Sequence, residues 1–554
     1  MTLTRVVWSA AALAGASSCH AFAGPPHLRP NLRAPVALAP QPTRLAPSGP
    51  KTRLAVLPGL AFPSALPAAL KLKGGAGALA PLAGAGALLG TGMDRFFNEA
   101  FLGLIATVVL VRGVASVSKA AANKGGEPAE AEDAGALGLR WRFLAVFWLF
   151  RLSDWLQGPY FVEVYSSKVL GATGQGLGVD MIAKLFLTGF GTTALLGPMV
   201  GNWVDRYGRK KGSIAFAVFY ALAALAVRSE SLAVLFLGRV CGGIGTSLLF
   251  SAPEAWLVGE HGRKGFPGAS LGKTFGLAYF GDSIAAMAAG QLAQASASRA
   301  GPAAPFTLST VFLGLGAVLA STLWKENKRE GSTTEAAGSD SGAKGASSGG
   351  AIGKAWQAMV ADPRILMVGA IQSLFEGAMY IFVLQWPRAL MSVAQDTGAA
   401  VPFGRAFSCF MAACMVGSSA FPWMADKKVA PEDSVSVMLS VAVAAMAASA
   451  ALGHTGLGLV SAAFFAFEAC VGFYFPSIGT LRSKYLPDEH RSIIMNLFGI
   501  PLNLLVVAVY LQIERLGTAG ALACSTAALA CSLVASLALG LTRRRDEAAQ
   551  LAKA

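Results

Sequence analysis

Apolar runs long enough to cross a bilayer recur thirteen times between about residues 101 and 541. A helix needs about 20 such residues to span the hydrocarbon core. In that solvent every backbone N–H and C=O must be bonded inside the protein, which leaves only helices or closed barrels. No polar–apolar alternation runs through these segments, so the reading is an all-α polytopic membrane protein. Composition agrees, with 54% hydrophobic and 14% charged residues, whereas soluble domains carry about 25% charged residues. The 64 glycines suit helices that approach one another closely in lipid.

The runs are grouped. An isolated span near 101–117 precedes an acidic spacer, and six spans follow near 141–164, 180–204, 213–228, 231–258, 271–295 and 304–324. Residues 325–350 are polar, lack apolar periodicity and read as a flexible linker. Six further spans lie near 363–386, 404–424, 433–453, 456–480, 490–512 and 518–541. The expected organisation is a leader over 1–93, the extra helix and spacer over 94–139, and a six-helix bundle over 140–324. A linker over 325–355, a second six-helix bundle over 356–545 and a tail over 546–554 complete it. Phe186 to Asp205 and Phe407 to Asp426 each span nineteen positions and end an apolar run in Asp followed by basic residues. Parallel six-helix halves are a known transporter architecture.

The net charge of +15 does not point to nucleic acid. Residues 1–93 hold eight Lys/Arg and no Asp or Glu, leaving 37 basic and 30 acidic residues elsewhere. Most of that surplus sits in short inter-helix loops. Arg140/Arg142, Arg263/Lys264, the linker, Lys427/Lys428, Arg482/Lys484/Arg491 and Arg543–Arg545 fall on one side. The positive-inside bias makes that side cytosolic, or its organellar equivalent. Seven cysteines form no CxxC pair and five histidines no HExxH, so no disulfide framework, metal site or cofactor is expected.

The leader has a short apolar core and an Ala21-Phe22-Ala23 site, the layout of a secretory signal. A Pro/Ala-rich, basic, acid-free region follows. This arrangement resembles the bipartite plastid presequences of algae with complex plastids. A plastid membrane is therefore expected, with plasma membrane or endomembrane as alternatives.

"GNWVDRYGRKKG" (201–212) places charge in a tight loop between two apolar spans. Gly201 is expected to let helices approach, Asp205 to face a helix N-terminus and Gly208 to permit the turn. Arg206, Arg209, Lys210 and Lys211 hold the loop on the cytosolic side. The run resembles the signature loop of the major facilitator superfamily, G-x-x-x-D-R-x-G-R-K-K, at every defined position. That resemblance implies a major facilitator fold, two six-helix bundles plus one extra N-terminal transmembrane helix. It also implies that the loop braces one half against the other. "DWLQGPYFVEVYSS" (154–167), "LGRVCGGIGTSLLFSAPEAWLVGEH" (237–261), "WKEN" (324–327) and "IQSLFEGAMYIFVLQW" (371–386) resemble the molybdate-anion transporters of that superfamily. "PFGRAFSCFMAACMVGSS" (402–419) and "FEACVGFYFPSIGTLRSKYLP" (467–487) do so as well.

Ionisable groups at membrane depth cost at least about 2.5–3.5 kcal/mol each on insertion scales, so each needs its own account. Asp154, Gln157 and Tyr160 recur on one helical face beside Gly158-Pro159. They read either as a proton carrier with substrate-bonding neighbours or as an inter-helix brace. Arg239, early in the fourth core helix, is either a ligand for a tetrahedral oxyanion or a structural cation. Glu254, Glu376 and Glu468 complete the set, since Asp154 and Glu376 lie on the first helix of each half and Glu254 and Glu468 on the fourth. Lys184 and Arg151 are further cations, and Ser251, Ser373 and Asn503 neutral donors.

The expected function is gradient-driven movement of molybdate by alternating access, with protons as a coupling ion and the lipid bilayer as the surroundings. No GxxxxGK[ST] motif is present, and no nucleophile–base pair suggests an enzyme. The alternatives are sulfate or a small organic solute as cargo, or a non-transporting sensor built on the same scaffold.

Overall fold

The computed structural model describes residues 92–122, 133–170, 174, 176–328, 348–395, 398, 400–452, 456–487 and 491–552, all within the compact unit Gly77–Ala554. Residues 1–91 of the expected leader and the centre of the expected linker lie outside the described residues.

Helices α1 (Met93–Ala122), α2 (Ala134–Gln157), α3 (Phe161–Ser166), α4 (Val179–Tyr207) and α5 (Arg209–Ala226) come first. They are followed by α6 (Leu232–Arg263), α7 (Gly268–Ala300), α8 (Ala304–Leu323), α9 (Ser348–Ala361) and α10 (Pro363–Gln395). The chain ends with α11 (Phe403–Asp426), α12 (Pro431–Leu452), α13 (Leu457–Tyr485), α14 (Arg491–Leu511) and α15 (Ile513–Leu551). Twelve of the thirteen expected spans each fall on one helix, and the first core span, near 141–164, falls on two. Among the described residues, nine helices are long and apolar enough to cross a membrane on length and composition alone. Helices α2, α5 and α7 are not in that group because charged or small residues dilute their apolar character.

The first core span is interrupted where Gly158-Pro159 breaks it. Pro159 has no N–H to give the helix, and α2 stops at Gln157 before the chain re-enters helix as α3. The groups released are bonded locally, with the Phe161 N–H donating to the Gly158 carbonyl (3.2 Å) and the Val164 N–H to that of Tyr160 (2.9 Å). Helix α15 bends at Gly517 (φ 61°), a left-handed conformation that glycine adopts without steric cost.

Small residues set the helix contacts. A Cβ on Gly417 of α11 would collide with the Ala469 carbonyl, and one on Gly472 of α13 with the Cys414 carbonyl. These backbones touch reciprocally. In the first half, a Cβ on Gly243 of α6 would strike Thr192 and the Gly189 carbonyl of α4. Helices α2–α8 form the first bundle and α10–α15 the second.

The halves meet away from the Lys/Arg-rich end. Trp155 packs on Phe407 (5.8 Å), Tyr160 on Phe403 (5.7 Å), Phe186 on Tyr510 (5.4 Å) and Phe190 on Tyr380 (4.6 Å). The Ser408 hydroxyl donates to the Met287 carbonyl (2.8 Å), and the Gly404 N–H to Gln294 Oε1 (3.2 Å). All of these contacts lie in the part of each helix nearer the far end. The extra helix α1 runs along the α7–α11 seam. It is tied to α11 by an Asp94–Arg405 ion pair (2.7 Å) and to α7 by Arg112 over Phe280 (4.8 Å).

Candidate functional site

Helix α2 carries a charged centre that α5 and α7 complete. Arg151 donates from Nε to Asp282 Oδ1 (2.7 Å) and from Nη2 to Oδ2 (2.9 Å), a two-pronged grip on α7. Trp155 Nε1 donates to the same carboxylate (2.8 Å). Asp154 receives the Tyr220 hydroxyl at 2.5 Å and has only a long contact, 3.4 Å, with Arg151 Nη1. The rings of Trp155 and Phe250 lie against the Arg151 guanidinium, at 5.0 and 5.4 Å. Arg151 is thus occupied on both edges and both faces, rather than snorkelling to an interface.

Gln157 lies one turn beyond Asp154 on α2, whereas Tyr160 lies past the end of that helix, off the expected face. Gln157 is buried and donates to Ser309 of α8 (3.0 Å), while Tyr160, beyond the helix break, donates to Gln294 of α7 (2.8 Å). The helix ends between them, so the spacing of three residues loses its meaning. Glu254 accepts from the Tyr279 hydroxyl (2.6 Å). Lys184 pairs with Asp180 (3.0 Å), its side chain exposed. The Ser251 hydroxyl donates to the Ser247 carbonyl and that of Ser373 to Gly369 and Phe498 carbonyls, while Asn503 is exposed.

Arg239 differs from Arg151. No carboxylate pairs with it among the described residues, and its Nε is buried without a hydrogen-bond partner. Its guanidinium rests on the Phe161 ring (4.8 Å) and against the bare backbone of Gly189, where a Cβ would come within 2.8 Å of Nη2. Tyr165 and Tyr220 are its electrostatic neighbours. A fixed cation with a free Nε donor, flanked by hydroxyls, is the chemistry an oxyanion needs. Arg388 of α10 also has a buried, unpartnered Nη2 and lies beside Tyr510.

In the second half, Glu376 accepts from the Tyr474 hydroxyl (2.8 Å) and from Arg482 Nη2 (3.3 Å), while Arg482 Nε donates to Gln372 (2.9 Å). Arg482, read from sequence as a loop charge, therefore closes an intramembrane cluster. Glu468 is buried beside Cys414, with no hydrogen bond or ion pair recorded among the described residues.

The signature loop has a partner that its own sequence does not contain. Gly208 adopts φ 124°, and a Cβ there would collide with the Glu326 carboxyl group. Glu326 caps α5, accepting from the N–H groups of Lys210 (2.9 Å) and Lys211 (3.1 Å). Asp205, expected at a helix N-terminus, instead accepts from Arg209 Nε and Nη2 (3.1 and 3.0 Å). Lys210 Nζ donates to the Ser321 carbonyl (2.6 Å), and Arg206 lies over Tyr207 (5.6 Å). A Cβ on Gly201 would meet nothing within 4 Å, so no close helix approach depends on it. Trp324 stacks on Trp256 at 4.0 Å and holds the "WKEN" segment in place. The contacts recorded for the loop stay within the first bundle in this state. Glu326→Ala is expected to destabilise that bundle by about 1–2 kcal/mol through loss of the cap. An unchanged thermal midpoint in detergent would show that water replaces the carboxylate without loss.

A cavity of about 660 Å³ opens at the far end, lined by Asp94, Tyr160, Glu163, Gln294 and Gln395 among others. Two carboxylates and no basic residue in its lining disfavour anions there. Asp282, Tyr220, Tyr474 and Glu326 are the groups that sequence reasoning did not select. Asp282 was the accessible one, as an acid inside an apolar span.

Comparison with known proteins follows the same lines. Residues 96–470 match the profile of a family described as sugar transporters with 12 TM. A molybdate-anion transporter of Xenopus tropicalis is 33% identical over 361 residues, 64% of this chain and 74% of that protein. One from Takifugu rubripes is 30% identical over 381 residues, 66% and 77% of the two chains. Among solved structures, the nucleoside transporter NupG superposes with a TM-score of 0.56 at 11% identity, covering 73% of this chain and 99% of that one.

Proposed function

The chain belongs to the molybdate-anion transporter family of the major facilitator superfamily, and on that premise we propose that it carries molybdate across its membrane by alternating access. The observation that carries the site assignment is Arg239, a partly buried cation whose Nε has no hydrogen-bond partner, in a bundle whose other central arginines, Arg151 and Arg482, are paired. Leaving a guanidinium unpaired at depth is costly, and a tetrahedral dianion would offset that cost during each cycle. Gly189 and Phe161 orient the group, and the Tyr165 and Tyr220 hydroxyls supply neutral donors. The halves are closed at the far end, so a substrate on Arg239 would exchange through the Lys/Arg-rich end in this state. Rocking about the α4–α14 and α7–α11 seams would open the other. A carboxylate carrying a proton, Asp154 first, would offset the charge of the dianion.

The test is uptake of labelled molybdate by cells lacking their own carrier and expressing the full chain. Saturable uptake that collapses with the proton gradient and resists equimolar sulfate is expected. A well-expressed protein that moves no molybdate under either direction of the pH gradient would overturn this reading. For location we propose a plastid membrane, on the composition of the leader. A fluorescent fusion is expected to follow the plastid envelope, and one confined to the plasma membrane would refute it.

A further inference from the structure

Asp154 and Arg239 sit on different helices, and one residue interacts with both. Tyr220 of α5 donates its hydroxyl to Asp154 Oδ1 at 2.5 Å and has Arg239 of α6 as an electrostatic neighbour. The α6 glycines lie beside both groups, and Gly245 must be bare to admit the ring. A Cβ on Gly245 would come within 2.8 Å of the Tyr220 ring, and one on Gly242 within 3.7 Å of Arg239 Nη1. Ring and guanidinium therefore pack side by side on one stretch of bare helix.

We propose that Tyr220 is the coupling residue of the carrier, a hydroxyl donor that passes from Asp154 to the oxyanion on Arg239 when Asp154 takes a proton. The inference rests on the proton-coupled reading above. While Asp154 is ionised, its bond from Tyr220 is charge-assisted, roughly twice as strong as a neutral one, and the hydroxyl is held away from Arg239. A proton from water on Asp154 removes that assistance, and the hydroxyl turns to the stronger acceptor, the bound dianion.

The neighbouring charges favour the same order. Arg151 and Asp154 come from α2, Arg239 and Glu254 from α6 and Asp282 from α7, with Tyr279 of α7 joining Glu254 to the cluster, and α8 carries no charged residue. Those five groups sum to −1 when all are ionised and to zero once Asp154 is protonated, which removes the surplus negative charge that would oppose a dianion. Asp282 accepts three hydrogen bonds, two from Arg151 and one from Trp155. Asp154, with one short bond and one long one, is the carboxylate free to change.

The experiment measures the KM for molybdate uptake against external pH for the full chain and two variants, at matched membrane abundance and thermal midpoint. In the wild type, KM is expected to fall as pH falls. In Tyr220→Phe, which keeps the ring and removes only the hydroxyl, KM at acid pH is expected to rise about tenfold, as for a lost donor to a charged group, and to become flat with pH. Asp154→Asn, a fixed mimic of the protonated acid, is expected to hold the low KM at every pH and to lose gradient-driven accumulation. A Tyr220→Phe carrier that keeps the wild-type pH profile would overturn the role of Tyr220 alone. A wild type without any pH dependence would overturn proton coupling itself, and the switch with it.

Discussion

Arg239→Ala is expected to abolish saturable molybdate uptake while leaving a folded protein at normal abundance. The two halves of that expectation have different causes. Arg239 has no ion pair among the described residues and a buried Nε without a partner. Removing it therefore breaks no recorded salt bridge and relieves an uncompensated charge. The thermal midpoint in detergent should hold or rise. With substrate bound, the same group is the fixed positive charge against a dianion, and loss of one member of a buried pair costs about 3–5 kcal/mol. That is at least about a hundredfold in KM. Arg239→Lys is expected to recover only part of it, since an ammonium keeps the charge but not the fork of donors. Wild-type kinetics in Arg239→Ala would move the substrate elsewhere, with Arg388 the next cation to test.

Gly404→Ala should stop transport by a different route. Gly404 of α11 lies against Gly290 of α7, where a Cβ would collide with the Gly290 carbonyl and approach the Gln294 N–H nitrogen to 2.6 Å. A Cβ on Gly290 would collide in turn with Ser408 and the Gly404 carbonyl. These glycines allow the halves to close at the far end, where Ser408 reaches Met287 and Gly404 reaches Gln294. An added methyl wedges that seam at a cost of about 1–3 kcal/mol, enough to shift a two-state balance by roughly 5- to 150-fold. Each bundle keeps its own packing, so the protein should fold. Hydrogen exchange is expected to rise in the far-end segments of α7 and α11 and to fall at the Lys/Arg-rich end. Unchanged exchange with normal uptake would show that the seam relaxes around the methyl at no functional cost.

How much of this was legible before the structure differs from residue to residue. Gly208 was read as a turn glycine, and its φ of 124° bears that out. Glu326 was quoted in a family-like block, yet nothing local ties it to a loop more than a hundred positions earlier. Helical spacing places Gln157 and Tyr160 on one face with Asp154, and the break at Gly158-Pro159 removes that premise for Tyr160. Arg482 was counted with the loops because it follows the apolar run, although its long side chain reaches back to Glu376.

The sequence by itself determined the solvent, the class and the number of spans. Hydrocarbon imposes its demand on each segment separately, and a run of apolar residues carries that demand whole. It also determined the signature turn, because a positive φ is a local requirement that glycine meets alone. Only the tertiary structure decided which intramembrane charges are paired, that Arg239 lacks a counter-ion, that Asp282 and not Asp154 grips Arg151, and that α1 lies along the seam. Those outcomes depend on how each helix is rotated about its axis and which neighbour it faces. Rotation is set by the packing of small residues between helices distant in sequence, and no periodicity within one helix encodes it.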